Sequence, residues 1–415
     1  MSLCFCVAPV AATSQQTTLH DQRSYLELGA QTIGVATHET PAVQGRSLTE
    51  GYLTQPAIMV HAGVLNGHLV LAGTVNLEGA TLKRGELTPG IYGEGYIDRR
   101  HPHTYLHELV IAAKQDLAGA SVSLSGGKGF APFGTDDPMA RPFEKYPVNH
   151  HLAQVLERAV AIAAVRAGQV ILELGTFNGD EPVSPGDVPN RNRYWDSWSG
   201  RLTLVPFEQI ELQSSYARVK SPENATGGGS DQRKKSASVR LEDAQHSGYA
   251  LAEWARTGDF VGNTRSFEFT SWLLESEARI GFVRAGVRLE RTERPDEERL
   301  QNPFRAQVPG TDLSILGRSR WTTLTGRVAV PIWIAQPVAL EPFIEVARAR
   351  VSPTFRPAGF DPRQFYGSSR IWSISAGAKL SFGMQHMRMG RYGAAITEPR
   401  GMMMEAGGMN MSHSH

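Results

Sequence analysis

Long and short connections alternate along most of this chain, and that alternation restricts its fold more than any motif does. Between residues 68 and 382, fourteen strand-like segments are legible. Long connections fall at 80–103, 131–153, 177–197, 221–233, 294–319 and 352–369, with a medium one at 257–265. Short ones lie between them, at Asp116–Gly119, Ala167–Gly168, Pro206–Glu208, Ala244–Ser247, near Glu277 and at Gln336–Pro337. An antiparallel barrel crossing an outer membrane sorts its connections in this way, with tight turns on one rim and long polar loops on the other. A soluble sandwich has no reason to do so.

The segments themselves alternate in polarity. Trp372, Ile374, Ala376, Ala378, Leu380 and Phe382 share one face of the last segment, opposite Ser373, Ser375, Gly377, Lys379 and Ser381. Neighbouring side chains on a strand point to opposite faces, so one face suits hydrocarbon and the other water. Val283–Glu290, Thr323–Ile332, Leu69–Glu78 and Ser236–Glu242 repeat the pattern. Trp198, Trp321, Trp333, Trp372 and Phe382 stand near strand ends, as aromatic girdles do. The expectation is an all-β, closed antiparallel transmembrane barrel of about fourteen strands, with twelve or sixteen open. Three stretches fit poorly. Residues 155–165 are apolar on both faces, 249–256 alternate weakly, and 340–351 change parity near Val346–Ala347, which suggests a bulge. Leu65-Asn66-Gly67-His68 is a hairpin signal that would add a strand at about 57–64.

Composition narrows the classes. The net charge is +1, which points to no nucleic-acid partner. Cys4 and Cys6 are the sole cysteines, so the body carries neither disulfide nor thiolate metal site. No charge-free apolar run approaches the ~20 residues of a membrane-spanning helix. The expected organisation is a signal peptide at 1–15, short of a basic start, and an N-terminal segment at 16–66, periplasmic or within the lumen. The barrel then runs over 67–383, and a disordered Met- and His-rich periplasmic tail covers 384–415.

Polar faces turned inward place Arg201, Arg240, Arg284, Arg288, Arg327, Lys114 and Lys379 in the lumen, with Glu78, Glu108, Glu173, Glu211, Glu242, Glu290, Glu341 and Glu345. Near-balance of sign favours a cross-strand lattice of ion pairs over a charge-selective eyelet. The connection at 126–153 combines Gly and Pro with Phe130, Phe133, Phe143 and Tyr146. It either folds into the mouth, presenting Lys128, Asp136, Asp137, Arg141 and Lys145 to solutes, or packs on the rim.

The stretch GKGFAPFG (Gly127–Gly134) with LERA (Leu156–Ala159) resembles phosphate-selective-porin-like outer-membrane proteins. Residues Gly93 to His103, with Asn149-His150-His151, resemble uncharacterised outer-membrane barrels of bacteria. The resemblance implies a barrel in the outer membrane of a Gram-negative-type cell. It does not imply phosphate specificity, because acids offset the basic side chains.

Two clusters have metal-ligand chemistry. His101, His103 and His107 precede or open a strand, and His150 and His151 end the following loop, so the two groups could meet at the rim. Imidazole with carboxylate suits Zn²⁺, Ni²⁺ or Cu²⁺; ordinary loop structure is the competing reading. In the tail, Met384, Met387, Met389, Met402, Met403, Met404, Met409 and Met411 are joined by His386, His413 and His415, soft donors that suit Cu(I). No cofactor is required. The functional expectation is a porin-like channel for small hydrophilic solutes, monomeric or trimeric in lipid, with metal handling through the tail. The alternatives are a non-conducting metal-binding barrel and an outer-membrane hydrolase, although no serine motif supports the last.

Overall fold

A computed structural model describes residues 24–41, 47–81, 103–135, 138–143, 146–148, 150–182, 184–242, 248–297, 315–335, 337–355, 361–365, 367–383 and 388–397. The first eight strands are β1 (Tyr25–Thr40), β2 (Leu48–Val64), β3 (Leu69–Asn76), β4 (Leu106–Leu117), β5 (Ala120–Gly129), β6 (Arg158–Ala167), β7 (Val170–Phe177) and β8 (Ser197–Phe207). The wall continues through β9 (Ile210–Val219), β10 (Asp231–Glu242), β11 (Gly248–Val261), β12 (Thr264–Ile280) and β13 (Val283–Glu297). It ends with β14 (Ile315–Ala329), β15 (Ile332–Ala335), β16 (Val338–Phe355) and β17 (Arg370–Gly383). One-turn helices α1 (Glu78–Thr81), α2 (His150–Ala153) and α3 (Pro362–Phe365) sit in the connections.

Strands pair antiparallel with their neighbours in sequence, except that β14 and β15 both pair with β16, and β1 pairs with β17 from Gly29↔Gly383 to Thr40↔Trp372. The sheet therefore closes and leaves no edge. The short β15 continues β14 along the same partner, β16, so the wall has sixteen staves rather than fourteen. The two extra staves are β1 and β2, in the region the sequence reading gave to a periplasmic or lumenal segment. Their polarity is scrambled for a physical reason. On β1 the inward positions include Ile33 and Val35, which pack against Phe343 and Ala329 inside the lumen, while small Thr32, Gly34 and Ala36 face out. On β2, Gln55 takes φ +49 where the register with β1 shifts, so parity switches in mid-strand. The Leu65–His68 turn forms as its sequence indicates, with hydrogen bonds Gly67 N→Val64 O and His68 N→Leu65 O of 3.1 Å each.

Other local readings need correction. Parity holds across Val346–Ala347 in β16, whose register with β17 is unbroken from Val338↔Phe382 to Arg350↔Arg370; the irregularity lies farther on, against β14 at Pro353–Phe355. The outward charges that mimicked a bulge are Arg348 and Arg350 at the end of the stave. Gly262 and Asn263 alone connect β11 and β12, and the following turn is Gly281–Phe282 rather than near Glu277. This two-residue link lies on the rim that otherwise carries the long connections, so the length rule breaks there. Trp321 points inward and is fully buried, while Trp198, Trp372 and Phe382 face out. The side chain of Trp333 lies outside the described residues.

The burial pattern states the polarity of the cylinder. Inward positions are buried and often charged. Outward positions such as Leu124, Leu174, Leu274, Leu324, Ile344 and Ile374 are half or more exposed. A water-soluble protein does not expose apolar area on this scale; hydrocarbon covers it in a bilayer. No described helix is long and apolar enough to cross a membrane. Outward cations gather at the ends of the staves on the long-connection rim (the loop end): Arg218, Arg233, Lys235, Arg256, Arg291, Arg320, Arg348, Arg350 and Arg370. The opposite rim is the turn end.

Candidate functional site

The lumen is not an empty bore. Two segments enter it and are held by the inward side chains of the wall.

The first is the connection between β5 and β6. Phe130, Phe133, Phe143 and Tyr146 are all buried, so its aromatics are packed inside rather than presented to solvent. Gly134 N donates to Ser215 Oγ at 3.0 Å, and Arg201 Nη1 donates to Gly134 O at 3.3 Å. A Cβ at Gly134 would stand 1.7 Å from the Ala153 carbonyl, and its φ is +76, so only glycine fits this crossing. Farther on, Arg141 reaches Glu253 at 3.2 Å and Glu275 at 3.8 Å. The Phe143 ring lies 4.4 Å from the Arg288 guanidinium, and Val148 N donates to Glu290 Oε1 at 2.7 Å. The connection thus runs from β5 across to β13.

The second is residues 388–397, beyond the last stave. They return from the turn end into the lumen. Arg388 grips Glu211 with two bonds of 2.6 and 3.0 Å, and Arg391 also pairs with Glu211. Tyr392 Oη donates to Glu108 at 2.5 Å and accepts from Phe130 N at 3.0 Å. Ala394 N donates to Ser123 Oγ at 2.9 Å, Arg201 Nη2 to Gly390 O at 2.7 Å and Arg166 Nη1 to Ile396 O at 3.0 Å. Gly393 has φ +56, and a Cβ there would lie 2.5 Å from Ser123 Oγ. A narrow cleft lined by His61, Val70, Glu108, Arg388 and Tyr392 remains between this segment and the inner faces of β2, β3 and β4.

This segment explains the apolar inner patch that made 155–165 ambiguous. Val160, Ile162 and Tyr392 belong to one buried cluster, and Ala164, Ile171, Ala394 and Ala395 to another. The wall is apolar on both faces where a piece of chain covers its inside. Double-sided apolarity in one stave was the available signal for a lumenal occupant; nothing in the sequence named that occupant.

Elsewhere the wall is the ion-pair lattice that near-balance of charge suggested. Arg201 meets Glu173 at 2.5 Å, and Arg288 meets Glu275 at 2.8 Å. Arg327 joins Glu277 at 2.8 Å and Glu341 at 2.5 Å, and Arg284 approaches the same two acids at 3.8 and 3.7 Å. Arg240 pairs with Glu242. Lys379 faces inward, half-buried. Lys128 does not line the lumen. It shares the outward face of its registered partners Leu109 and Ala159, and its ammonium bonds Thr104 Oγ1 at 2.5 Å. Asp136, Asp137 and Lys145 lie outside the described residues.

The histidines do converge at the loop end. His103 and His107 have ring centroids 4.8 Å apart, and Tyr146 and His150 are 4.8 Å apart, with His103 6.3 Å from His150. Two carboxylates hold the group: Glu78 is 3.1 Å from His103 Nδ1, and Glu157 is 2.6 Å from His107 Nδ1. Burial raises the Glu78 carboxyl, but His103, Thr54 and the Gln55 amide outweigh it and hold its pKa below the ordinary value. Burial likewise raises Glu157, and His107, His103 and Lys128 bring it down below the ordinary value. Among the described residues no group of three or more His, Cys, Asp or Glu side chains is arranged to hold a metal ion. His101 and the His151 side chain lie outside the described residues.

Of the tail donors, Met389 alone is described. It is buried against Phe130, Met139 and Tyr146, so a disordered periplasmic tail beginning at 384 does not describe 388–397. Lumenal carboxylates and hydrogen-bond partners order that stretch. Met384, His386, Met387, Met402, Met403, Met404, Met409, Met411, His413 and His415 lie outside the described residues.

No family model matches the chain, and no curated protein matches it. Solved structures do. OmpT of Vibrio cholerae lacking loop L8, an outer-membrane protein, is 10% identical with a TM-score of 0.51, over 87% of this chain and all of that one. The in-vitro-folded OmpT in its trimer form is 9% identical with a TM-score of 0.50, over 88% of this chain and all of that one. An anion-selective porin from Comamonas acidovorans is 10% identical with a TM-score of 0.47, over 86% of this chain and all of that one. At such identities the likeness to OmpT is one of fold, and the fold is that of an outer-membrane β-barrel.

Proposed function

We propose that this protein is a channel of the outer membrane that passes small hydrophilic solutes through a narrowed lumen of balanced charge. The observation that carries the reading is the polarity of a closed wall: ion-paired and hydrogen-bonding side chains inside, an apolar belt outside. The long connections then face the medium and the tight turns face the periplasm. Passage is diffusion past fixed charges, with no bond made or broken. The crossing connection at Gly134 and Arg141 narrows the mouth, and residues 388–397 narrow the turn end. Because Arg288, Arg327 and Arg201 are each engaged by acids, selectivity rests on lumen width more than on a field of one sign.

Conductance of the purified, folded protein in a planar bilayer tests this. Discrete steps of low conductance are expected. A silent bilayer, with folding verified by heat-modifiable migration, sinks the channel reading. Silence favours a second reading supported by the occupied lumen, a barrel that does not conduct at rest. A chain ending at Gly383 separates the two: steps that appear only after truncation support a closed channel, and silence in both forms leaves a binding or structural barrel.

A further inference from the structure

The outer wall of β16 and β17 carries an ordered ladder of outward side chains. From the loop end downward, the registered pairs are Arg350↔Arg370, Arg348↔Trp372 and Val346↔Ile374. All three arginines are exposed. Like charges directly opposite across two strands repel. Other such pairs on this rim have acids: Asp231 lies 3.5 Å from Arg218, which faces Arg233, and Glu268 pairs with Arg256, which faces Lys235. Neither Arg350 nor Arg370 has a carboxylate partner among the described residues. Arg348 stacks on Trp372 at 5.1 Å, which fixes its guanidinium on the rung next to the Arg350–Arg370 pair. The next rung is greasy, with Ile374 half-exposed.

Three cations thus stand directly above an apolar belt, at the height where an interfacial tryptophan marks the headgroup region. A planar guanidinium binds phosphate through paired N–H bonds, and one bridging phosphate relieves the repulsion between Arg350 and Arg370. We propose that Arg348, Arg350 and Arg370 bind the phosphate of a phosphorylated outer-leaflet glycolipid, whose acyl chains lie along Trp372 and Ile374. The site rests on the outward apolar face meeting lipid and is independent of whether the lumen conducts.

The test uses the full chain, folded in detergent, with native mass spectrometry counting retained lipid. The probes are bisphosphorylated lipid A, its dephosphorylated form and inorganic phosphate. Wild type is expected to retain lipid A and to bind the dephosphorylated form about tenfold or more weakly. The combined Arg348→Gln, Arg350→Gln, Arg370→Gln variant loses a similar factor for lipid A, and excess inorganic phosphate does not displace the lipid. Equal retention by wild type and variant overturns the proposal. Displacement by inorganic phosphate also overturns it, making the cluster a free-anion site. Should the triple variant fail to fold, Arg370→Gln against Arg370→Lys gives the same comparison, with lysine expected to bind in between. A silent bilayer with lipid retention intact removes the channel reading and leaves this one standing.

Discussion

The hydroxyl of Tyr392 donates to the carboxylate of Glu108 across a sequence separation of 284 residues. That bond joins the end of the chain to an early stave, and the same oxygen accepts from the Phe130 amide. Tyr392→Phe removes one of the bonds to the buried Glu108 carboxylate and leaves the buried Phe130 N–H without its acceptor, so it should cost about 1–3 kcal/mol. The shift in urea midpoint of the folded barrel in detergent measures it. A double-mutant cycle with Glu108→Gln should show that the two residues are coupled.

Ending the chain at Gly383 removes every bond that residues 388–397 make to Glu211, Arg201 and Ser123. Single-channel conductance should then rise severalfold, because the turn end of the lumen is no longer occupied. Gly393→Val should move in the same direction, since its side chain collides with Ser123. Unchanged conductance in both forms would mean that solutes pass elsewhere.

Arg201 pairs with Glu173 while holding Gly134 O and Gly390 O. It therefore clamps both lumenal segments to one stave. Arg201→Met strands a buried carboxylate and should destabilise by about 3–5 kcal/mol. Arg201→Met with Glu173→Leu should recover much of that loss. Urea midpoints of the three variants give the comparison.

Acid should loosen the loop end. The folded-state pKa values of Glu78 and Glu157 are both lowered, so each carboxylate binds its proton more readily in the unfolded chain. Their contribution is fully present above the unfolded value near 4.5 and is lost as pH falls through the lower folded values. Denaturant midpoints measured from pH 7 to pH 3 should drop below pH 5. Glu78→Gln with Glu157→Gln should flatten that drop while lowering stability at pH 7.

The outward face can be probed at Leu324, 52% exposed in the middle of β14. Leu324→Arg should cost about 2–4 kcal/mol in a bilayer and cut the folded yield in vesicles. A wall surrounded by water would tolerate it.

Where one face is apolar and the other polar, as on β17, the stave was legible residue by residue. Legibility failed where the lumen is itself filled. Ile33 and Val35 turn inward because Phe343 waits there; Val160 and Ile162 do so because Tyr392 and Phe133 cover them. Parity alone cannot tell a buried inner face from a lipid-facing one. The ion-pair lattice was readable as a balance of sign, but its partners depend on register. The role of 388–397 was hidden because a short run with Arg, Gly and Met has no pattern until a wall is present to receive it.

Since β1 zips to β17, the wall is complete only when the first and last staves have met. Glu108, Arg201 and Glu211 stand on β4, β8 and β9, one arc of that wall. The stretch from Arg388 to Thr397 is held by that arc through Glu211, Glu108 and Arg201, so it has no partners until the arc has formed. Weakening those bonds should therefore spare the wall and alter only the bore it encloses.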